Sequence, residues 1–256
     1  MTERKTSELV EQGESPSAGR YYGHYMVPVA VITMICTLPA QTIVVSQFNG
    51  AIREALSLSL SQISLAYLIG TSLASLPLTL VGKAADRFGL RIVLGVVALA
   101  FAGALALLGQ ARGIVTLTIG FALVRFLGQG SLGMLASHTL AMWFERRLGR
   151  MESIKHVGFS LGALVLPIAT VALIDAVGWR RALAFLGAGV ALLLLPLVAS
   201  VFRNRPEDVG QVLDGDAPPP PLSAAQEPES SSSHAPPVDA AFTLGEALRT
   251  RALWIL

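Results

Sequence analysis

The chain contains six apolar stretches, each long enough to cross a lipid bilayer as an α-helix. A helical crossing needs about 20 mostly apolar residues, because backbone N–H and C=O groups find no water to bond in the hydrocarbon core. With 53% hydrophobic and 14% charged residues, the composition is that of a membrane protein. The predicted segments are approximately Tyr25 to Phe48, Ile63 to Val81, Ile92 to Leu108, Val115 to Phe144, Val157 to Ile174 and Ala182 to Phe202.

Basic residues collect on one side of these segments. With a cytoplasmic N-terminus, most Lys and Arg residues fall inside, and the four outside are Arg53, Arg112, Arg180 and Arg181. This asymmetry follows the positive-inside rule. We therefore expect a multi-pass protein of the cell membrane, inner or plasma, with its N-terminus in the cytoplasm. The net charge of +2 is spread between apolar segments, which argues against a nucleic-acid partner.

The sequence divides into four regions. Residues 1–21 form a polar tail that lacks the features of a signal peptide, and residues 22–203 hold the six segments. Residues 204–241 are rich in Pro and Ser, so we expect a disordered cytoplasmic linker. Thr243 and Glu246 fit a helix capping box at the start of residues 242–256, which are interpreted as the amphipathic beginning of a truncated seventh helix.

A short motif occurs twice between apolar segments. Asp86-x-x-Gly89-x-Arg91 follows the second segment, and Asp175-x-x-Gly178-x-Arg180 follows the fifth. Three segments separate the copies, so they lie on opposite faces of the bilayer. This arrangement predicts two inverted three-helix repeats, which are common in secondary transporters.

The longer first copy, Gly82-x-x-x-Asp86-Arg87-x-Gly89-x-Arg91, resembles the signature loop of the major facilitator superfamily. An arginine on the fourth segment followed by glycines, Arg125-x-x-Gly128-x-Gly130, is similar to a second feature of that family. The resemblance implies an all-α membrane fold, half of a twelve-helix transporter. It also implies that the first motif acts as a cytoplasmic gate and closes against a second six-helix half, which these 256 residues do not contain.

Within that family, the stretch Trp143 to Arg150 and the Gly178-Trp179-Arg180 turn resemble the monocarboxylate-porter branch. The branch implies a small organic anion, such as a monocarboxylate, as substrate. Its mammalian-type members carry a lysine on the first helix just after a proline, whereas here Pro39 is followed by Ala40. The identity of the cation that would hold the anion therefore stays open.

Arg125 is the most informative single residue, because a charge near the bilayer centre costs about 2.5 to 3.5 kcal/mol on insertion scales. One interpretation places it in a central cavity, where it binds an anionic substrate or tunes a coupled proton. The alternative is a hydrogen bond to backbone carbonyls or to polar groups of the first segment. The candidate substrate or coupling residues are Arg125, Gln41, Thr42, Ser46 and Gln129.

Glycines at close spacing predict tight helix packing, at Gly128, Gly130 and Gly133 and at Gly158 and Gly162. The last two also fit the G-x-S-x-G pattern of serine hydrolases, but that pattern requires a strand before the serine, and here it lies in a helical run. We expect no catalytic residue, metal or cofactor. No nucleotide-binding P-loop occurs, so transport would be driven by ion or substrate gradients, for example by proton symport.

These features together favour a secondary active transporter that moves a small solute by alternating access. Two alternatives stay open: a transport-inactive N-terminal fragment of such a transporter, and a membrane enzyme or sensor that reuses the helix bundle. The expected partners are the substrate with a coupled proton, the lipid bilayer and the second six-helix half.

Overall fold

In a computed structural model of the protein, the structure describes residues 21–215. The predicted tail before Tyr21, most of the linker and the seventh helix lie outside the described residues. Six helices of the described part are long and apolar enough to cross a membrane, which confirms the predicted number. We name them spans 1 to 6: Gly23–Ala40, Leu60–Phe88, Leu90–Leu108, Ile114–Ala141, Leu148–Val177 and Trp179–Ser200. Shorter helical pieces follow span 1 at Thr42–Val45, Ser46–Phe48 and Asn49–Leu56.

The spans pack in pairs that respect a twofold repeat. The most extensive contacts join span 3 to span 6, span 2 to span 4 and span 1 to span 5. If spans 1, 2 and 3 are exchanged with spans 4, 5 and 6, the pair of spans 2 and 4 becomes the pair of spans 5 and 1. The pair of spans 3 and 6 stays the same. The packing thus confirms the predicted fold class, an all-α bundle of two inverted three-helix repeats.

Span 1 is interrupted where the sequence predicts a continuous helix to Phe48. The α-helix Gly23–Ile35 gives way to a 3-10 turn, Leu38–Ala40, and Gln41 is extended with φ −77° and ψ 149°. The turn contains Pro39, which has no backbone N–H and cannot continue the helical hydrogen-bond ladder. The predicted boundary is wrong for this reason.

The predicted loop between the second and third segments is a single residue. Span 2 continues through Gly82, Asp86 and Arg87 and ends at Gly89, which has φ +84° and ψ 145°. Gly178 makes the same turn between spans 5 and 6, with φ +80° and ψ 154°. This backbone region is accessible almost only to glycine. A single glycine therefore makes the turn between spans 2 and 3, and another makes the turn between spans 5 and 6.

The first residues of the predicted linker pack against the bundle. They form two 3-10 turns, Pro206–Val209 and Leu213–Gly215, and Asp214 is only 5% exposed. The Asp214 carboxylate accepts hydrogen bonds from the backbone N–H groups of Glu145 and Arg146 at 3.1 and 2.9 Å. Burial raises the pKa of this carboxyl, but the backbone donors together outweigh burial and hold the pKa below its usual value. Residues 204–215 of the predicted linker are therefore packed against the bundle.

Tyr21 and Tyr22 tie the start of span 1 to the same region. The Tyr21 hydroxyl donates to the backbone carbonyl of Trp143, and the Tyr22 backbone N–H donates to Oε1 of Gln211 at 2.8 Å. Desolvation and the nearby charge of Asp214 raise the pKa of Tyr21 to about 12. The beginning of the bundle, the turn before span 5 and the segment after span 6 thus form one packed end, which we call the latch end.

Candidate functional site

Span 4 changes its helical form at the residues predicted to bind substrate. Its α-helices Ile114–Val124 and Gly133–Ala141 are joined by a π-helical segment, Arg125–Leu132. Such segments are rare and occur often at functional sites. The periodicity of the sequence gives no signal for this change, because α- and π-helical runs share the same apolar composition.

Two glycines of the π-helical segment allow neighbouring spans to approach closely. A Cβ atom at Gly128 would lie 2.4 Å from the Cβ of Ala40 in span 1, and one at Gly130 would lie 2.6 Å from Cδ2 of Leu78 in span 2. Any larger side chain would push these helices apart. Gly133 has no atom of another residue within 4 Å of the equivalent position, so it makes no such contact.

Arg125 lies at the start of this segment, opposite the break in span 1. Its Nη1 donates to the carbonyl of Ala40 at 3.2 Å, and its guanidinium carbon is 5.1 Å from the centroid of the Tyr67 ring. The carbonyl and the ring face both stabilise a cation in an environment of low polarity. The hydrogen bond to a backbone carbonyl that the sequence offered as an alternative is therefore present, and it uses one N–H group of Arg125. A guanidinium has five N–H donors.

A cavity of about 160 Å³ opens beside Arg125. Spans 2 and 4 line it with Thr71, Ala74, Ser75, Leu78, Arg125, Gln129 and Gly130. Within the described part of the chain, the Thr71 hydroxyl oxygen and Oε1 of Gln129 are buried and have no hydrogen-bond partner. Since buried polar atoms are nearly always paired, these two atoms are candidates to bind a polar molecule in the cavity.

The polar residues predicted after Pro39 are only partly connected to this cavity. Thr42 places Oγ1 2.8 Å from the hydroxyl of Tyr67, the ring that lies against the arginine. Gln41 instead donates to Oγ1 of Thr37 at 3.3 Å, and Ser46 donates to a carbonyl of its own turn at 3.2 Å. The structure thus places Gln129 in the cavity with Arg125 and connects Thr42 to Arg125 only through Tyr67, and it places Gln41 and Ser46 in local hydrogen bonds.

In the predicted gate motif, two charged residues are exposed and a third forms hydrogen bonds with another span. Asp86 and Arg87 are exposed on the last turn of span 2. Arg91 reaches across to span 6, where it donates through Nε to the carbonyl of Val198 at 3.1 Å and through Nη2 to that of Ala199. Carbonyls in the last turn of a helix have no partner within the helix, so a cation there is stabilising.

The second copy of the motif repeats this arrangement. Asp175 is exposed near the end of span 5, and Gly178 makes the turn into span 6. Nη1 of Arg180 donates to the carbonyls of Gly109 and Ala111, which follow the end of span 3, at 2.8 and 2.9 Å. Each arginine therefore caps the far end of the other helix of the span 3 and span 6 pair.

Lys155, one of the basic residues on the predicted cytoplasmic side, has a side chain that is only 1% exposed. Its Nζ lies 2.5 Å from Oε2 of Glu152 and 2.5 Å from Oγ of Ser137 on span 4. Nε2 of His156 lies 3.8 Å from the same carboxylate oxygen. A buried ammonium must be paired, so Glu152 and Lys155 act as one unit that joins spans 4 and 5. The sequence does contain a signal for the ion pair, because side chains three residues apart lie on the same face of a helix.

The G-x-S-x-G pattern lies inside the continuous helix of span 5. The Ser160 hydroxyl donates to the carbonyl of His156 one turn earlier. A Cβ atom at Gly158 would lie 2.4 Å from Val31, and one at Gly162 would lie 2.8 Å from Leu38. These glycines thus form the surface on which span 1 packs. Across residues 21–215, no group of three or more His, Cys, Asp or Glu side chains is arranged to hold a metal ion.

The helical bundle, its repeated motif and the cavity beside Arg125 are features of membrane proteins of the transporter type. The chain belongs to the Major Facilitator Superfamily, whose family profile matches residues 29–256. This membership and the six apolar helices establish a multi-pass membrane protein.

Two curated proteins are similar to the chain. The probable sulfoacetate transporter SauU of Cupriavidus necator is 30% identical over 162 residues, which cover 63% of this chain and 37% of that protein. The uncharacterized MFS-type transporter YhjX of Escherichia coli is 23% identical over 212 residues, 82% of this chain and 47% of that protein. The matched regions therefore span less than half the length of each relative.

Proposed function

We propose that the protein works in secondary active transport of a small organic anion, a carboxylate or a sulfonate, by alternating access. The observation that carries the proposal is the cavity beside Arg125, where a cation at membrane depth adjoins two buried polar atoms without partners. Discontinuous helices frequently form the binding sites of secondary transporters near the bilayer midplane. The break in span 1 and the π-helical segment of span 4 face each other at this position.

The donors at the site favour an anion. The guanidinium of Arg125 uses one of its five N–H groups on Ala40, so among the described residues four are left for a ligand. Thr71 adds a hydroxyl group without a partner to the wall, whereas the Ser75 hydroxyl already donates to the carbonyl of Ser72 at 2.9 Å. A guanidinium binds the two oxygens of a carboxylate or a sulfonate in a forked geometry. The part of the cavity that this chain lines has a volume of about 160 Å³, enough for the charged group of such an anion.

The relatives and the branch resemblance support the same substrate class from two directions. The Cupriavidus relative is named as a probable sulfoacetate transporter, and sulfoacetate carries one sulfonate and one carboxylate. The resemblance to monocarboxylate porters points to the carboxylate. Both ligands need a cation, and Arg125 supplies it where the lysine of that branch is missing.

Several parts of the proposal concern the wider protein. A second six-helix half completes the cavity on the side that spans 1, 2 and 4 leave open, and a coupled proton accompanies the anion. The side with the latch end, which also carries the first motif, faces the cytoplasm by the positive-inside rule. The competing function is a chain that binds the anion but does not transport it alone.

Uptake and binding measurements test these functions separately. We expect vesicles that contain the protein together with a second six-helix half to take up labelled acetate or sulfoacetate, and we expect Arg125→Ala to reduce the uptake at least tenfold, which corresponds to about 1.4 kcal/mol. Arg181→Ala is the matched control, because Arg181 is exposed on span 6. Calorimetry on the protein in detergent measures anion binding directly.

Each outcome separates one function from the others. Unchanged uptake in Arg125→Ala would remove Arg125 from the mechanism. Binding that depends on Arg125 without any uptake would support the transport-inactive chain. Neither binding nor uptake of either anion would contradict the proposed substrate class, and chemical conversion of the anion would indicate a membrane enzyme.

A further inference from the structure

Spans 3 and 6 leave a groove of about 730 Å³ on their outer face. Its apolar walls are Ile92, Val96 and Leu99 of span 3 and Leu195 and Val198 of span 6, with Gly95 between them. The three wall residues of span 3 are 60 to 62% exposed, so the groove opens away from the bundle. Gly95 has no side chain to fill it, and a Cβ atom there would meet only Val198, at 3.9 Å.

The end of the groove at the start of span 3 is polar and carries donors. Arg91 closes it with a guanidinium that uses two of its five N–H groups on span 6 carbonyls, so three are left among the described contacts. Asn204 lies beside it and accepts the backbone N–H of Arg91 through Oδ1 at 2.9 Å, which directs its amide nitrogen away from that bond. This end of the groove thus presents a cation and an amide donor.

We propose that the groove is a binding site for one anionic phospholipid, independently of the transported substrate. The phosphate binds Arg91 and the Asn204 amide, and an acyl chain lies over Gly95. A forked guanidinium suits phosphate oxygens, and basic pockets between transmembrane helices are suited to anionic headgroups. From Arg91 to Leu99 the helix rises about 12 Å, which fits within the roughly 15 Å hydrocarbon depth of one leaflet.

Native mass spectrometry of the detergent-solubilised protein tests the site with two lipids of the same acyl chains, dioleoyl phosphatidylglycerol and dioleoyl phosphatidylcholine. We expect one phosphatidylglycerol to bind at least tenfold more tightly than phosphatidylcholine. Gly95→Leu fills the groove and should abolish this preference. Gly103→Leu is the matched control, because Gly103 lies on the same helix and has no neighbour within 4 Å.

Leu99→Trp provides a second blocking variant at an exposed position, for the case that Gly95→Leu does not fold. Retained preference for phosphatidylglycerol in either folded blocking variant would overturn the proposal, as would equal binding of both lipids to the unmodified protein. Loss of a dimer in the blocking variants with lipid binding unchanged would assign the groove to a second copy of the chain. Equal losses in Gly95→Leu and Gly103→Leu would also contradict a defined site.

Discussion

At one end of the span 3 and span 6 pair, Arg91 of span 3 binds the last carbonyls of span 6, and at the other end Arg180 of span 6 binds carbonyls just after span 3. Both arginines follow a glycine with positive φ that ends the preceding helix. The residues common to the two copies therefore brace one pair of helices at both ends. This shared role explains why Gly and Arg occur in both copies without assigning a gate to either.

The copies differ in what surrounds the brace. Arg91 gains a further hydrogen bond from its backbone N–H to Asn204, whereas Arg180 lies against the ring of Trp179, with its guanidinium carbon 4.3 Å from the ring centroid. The first copy also has Arg87, and the second has Ala176 in its place. Among the charged residues of the gate hypothesis, Asp86 and Arg87 remain exposed, whereas Arg91 donates hydrogen bonds to carbonyls of span 6.

The largest expected effect concerns the two turn glycines. Gly89→Ala and Gly178→Ala should each destabilise the bundle by about 2 kcal/mol, since an alanine is strained at these φ and ψ values. Gly89→Ala should cost more, because its Cβ would also lie 3.3 Å from the Asn204 side chain, whereas Gly178 faces open space. Thermal unfolding in detergent measures both. Equal stability of either variant and the unmodified protein would break the parallel between the copies.

The arginines should follow in magnitude. Arg91→Ala removes two charge-assisted hydrogen bonds and should cost about 2 kcal/mol, whereas Arg180→Ala should cost about 1 kcal/mol because Arg180 is exposed. The same unfolding assay compares them, with Arg181→Ala as the control. If only one of Arg91→Ala and Arg180→Ala lowered the unfolding temperature, only that arginine would stabilise the pair of spans 3 and 6.

At the latch end, the hydrogen bonds of the Asp214 carboxylate stabilise the fold in a pH-dependent way. Because the folded pKa of Asp214 lies below its unfolded value, near 3.9, its stabilising effect is complete above that pH and is lost as the pH falls through the folded pKa. Asp214→Asn should cost about 1 kcal/mol at pH 7 and progressively less below pH 4. A difference between the two unfolding temperatures that stays constant from pH 7 to pH 3 would contradict this. Asp208→Asn, on an exposed residue, controls for general charge effects.

The smallest effect on stability is expected at Arg87. Arg87→Ala should change the free energy of unfolding by less than about 0.5 kcal/mol, as exposed residues usually do. If Arg87 serves a gate, anion uptake should nevertheless fall several-fold. Ala176→Arg restores the missing cation in the second copy and should leave uptake unchanged. Normal uptake in Arg87→Ala would exclude Arg87 from a gate and remove this functional difference between the two copies.

The number of spans and the repeat could be predicted because apolar length and motif spacing are properties of the sequence itself. The break at Pro39 and the π-helical segment at Arg125 could not, since both depend on how spans 1 and 4 approach one another in the fold. The burial of Lys155 and its contact with Ser137 on span 4 could not be predicted either, because only tertiary packing reveals them.

The latch end has a consequence for the path of the polypeptide. A Cβ atom at Gly215 would lie 2.8 Å from the ring of Tyr21, so the chain enters and leaves the described bundle at one point. Domains whose ends meet tolerate circular permutation and insertion into other chains. We therefore expect the described bundle to tolerate a circular permutation that opens the chain at the single-residue turn of Gly178 and joins residues 21 and 215 directly.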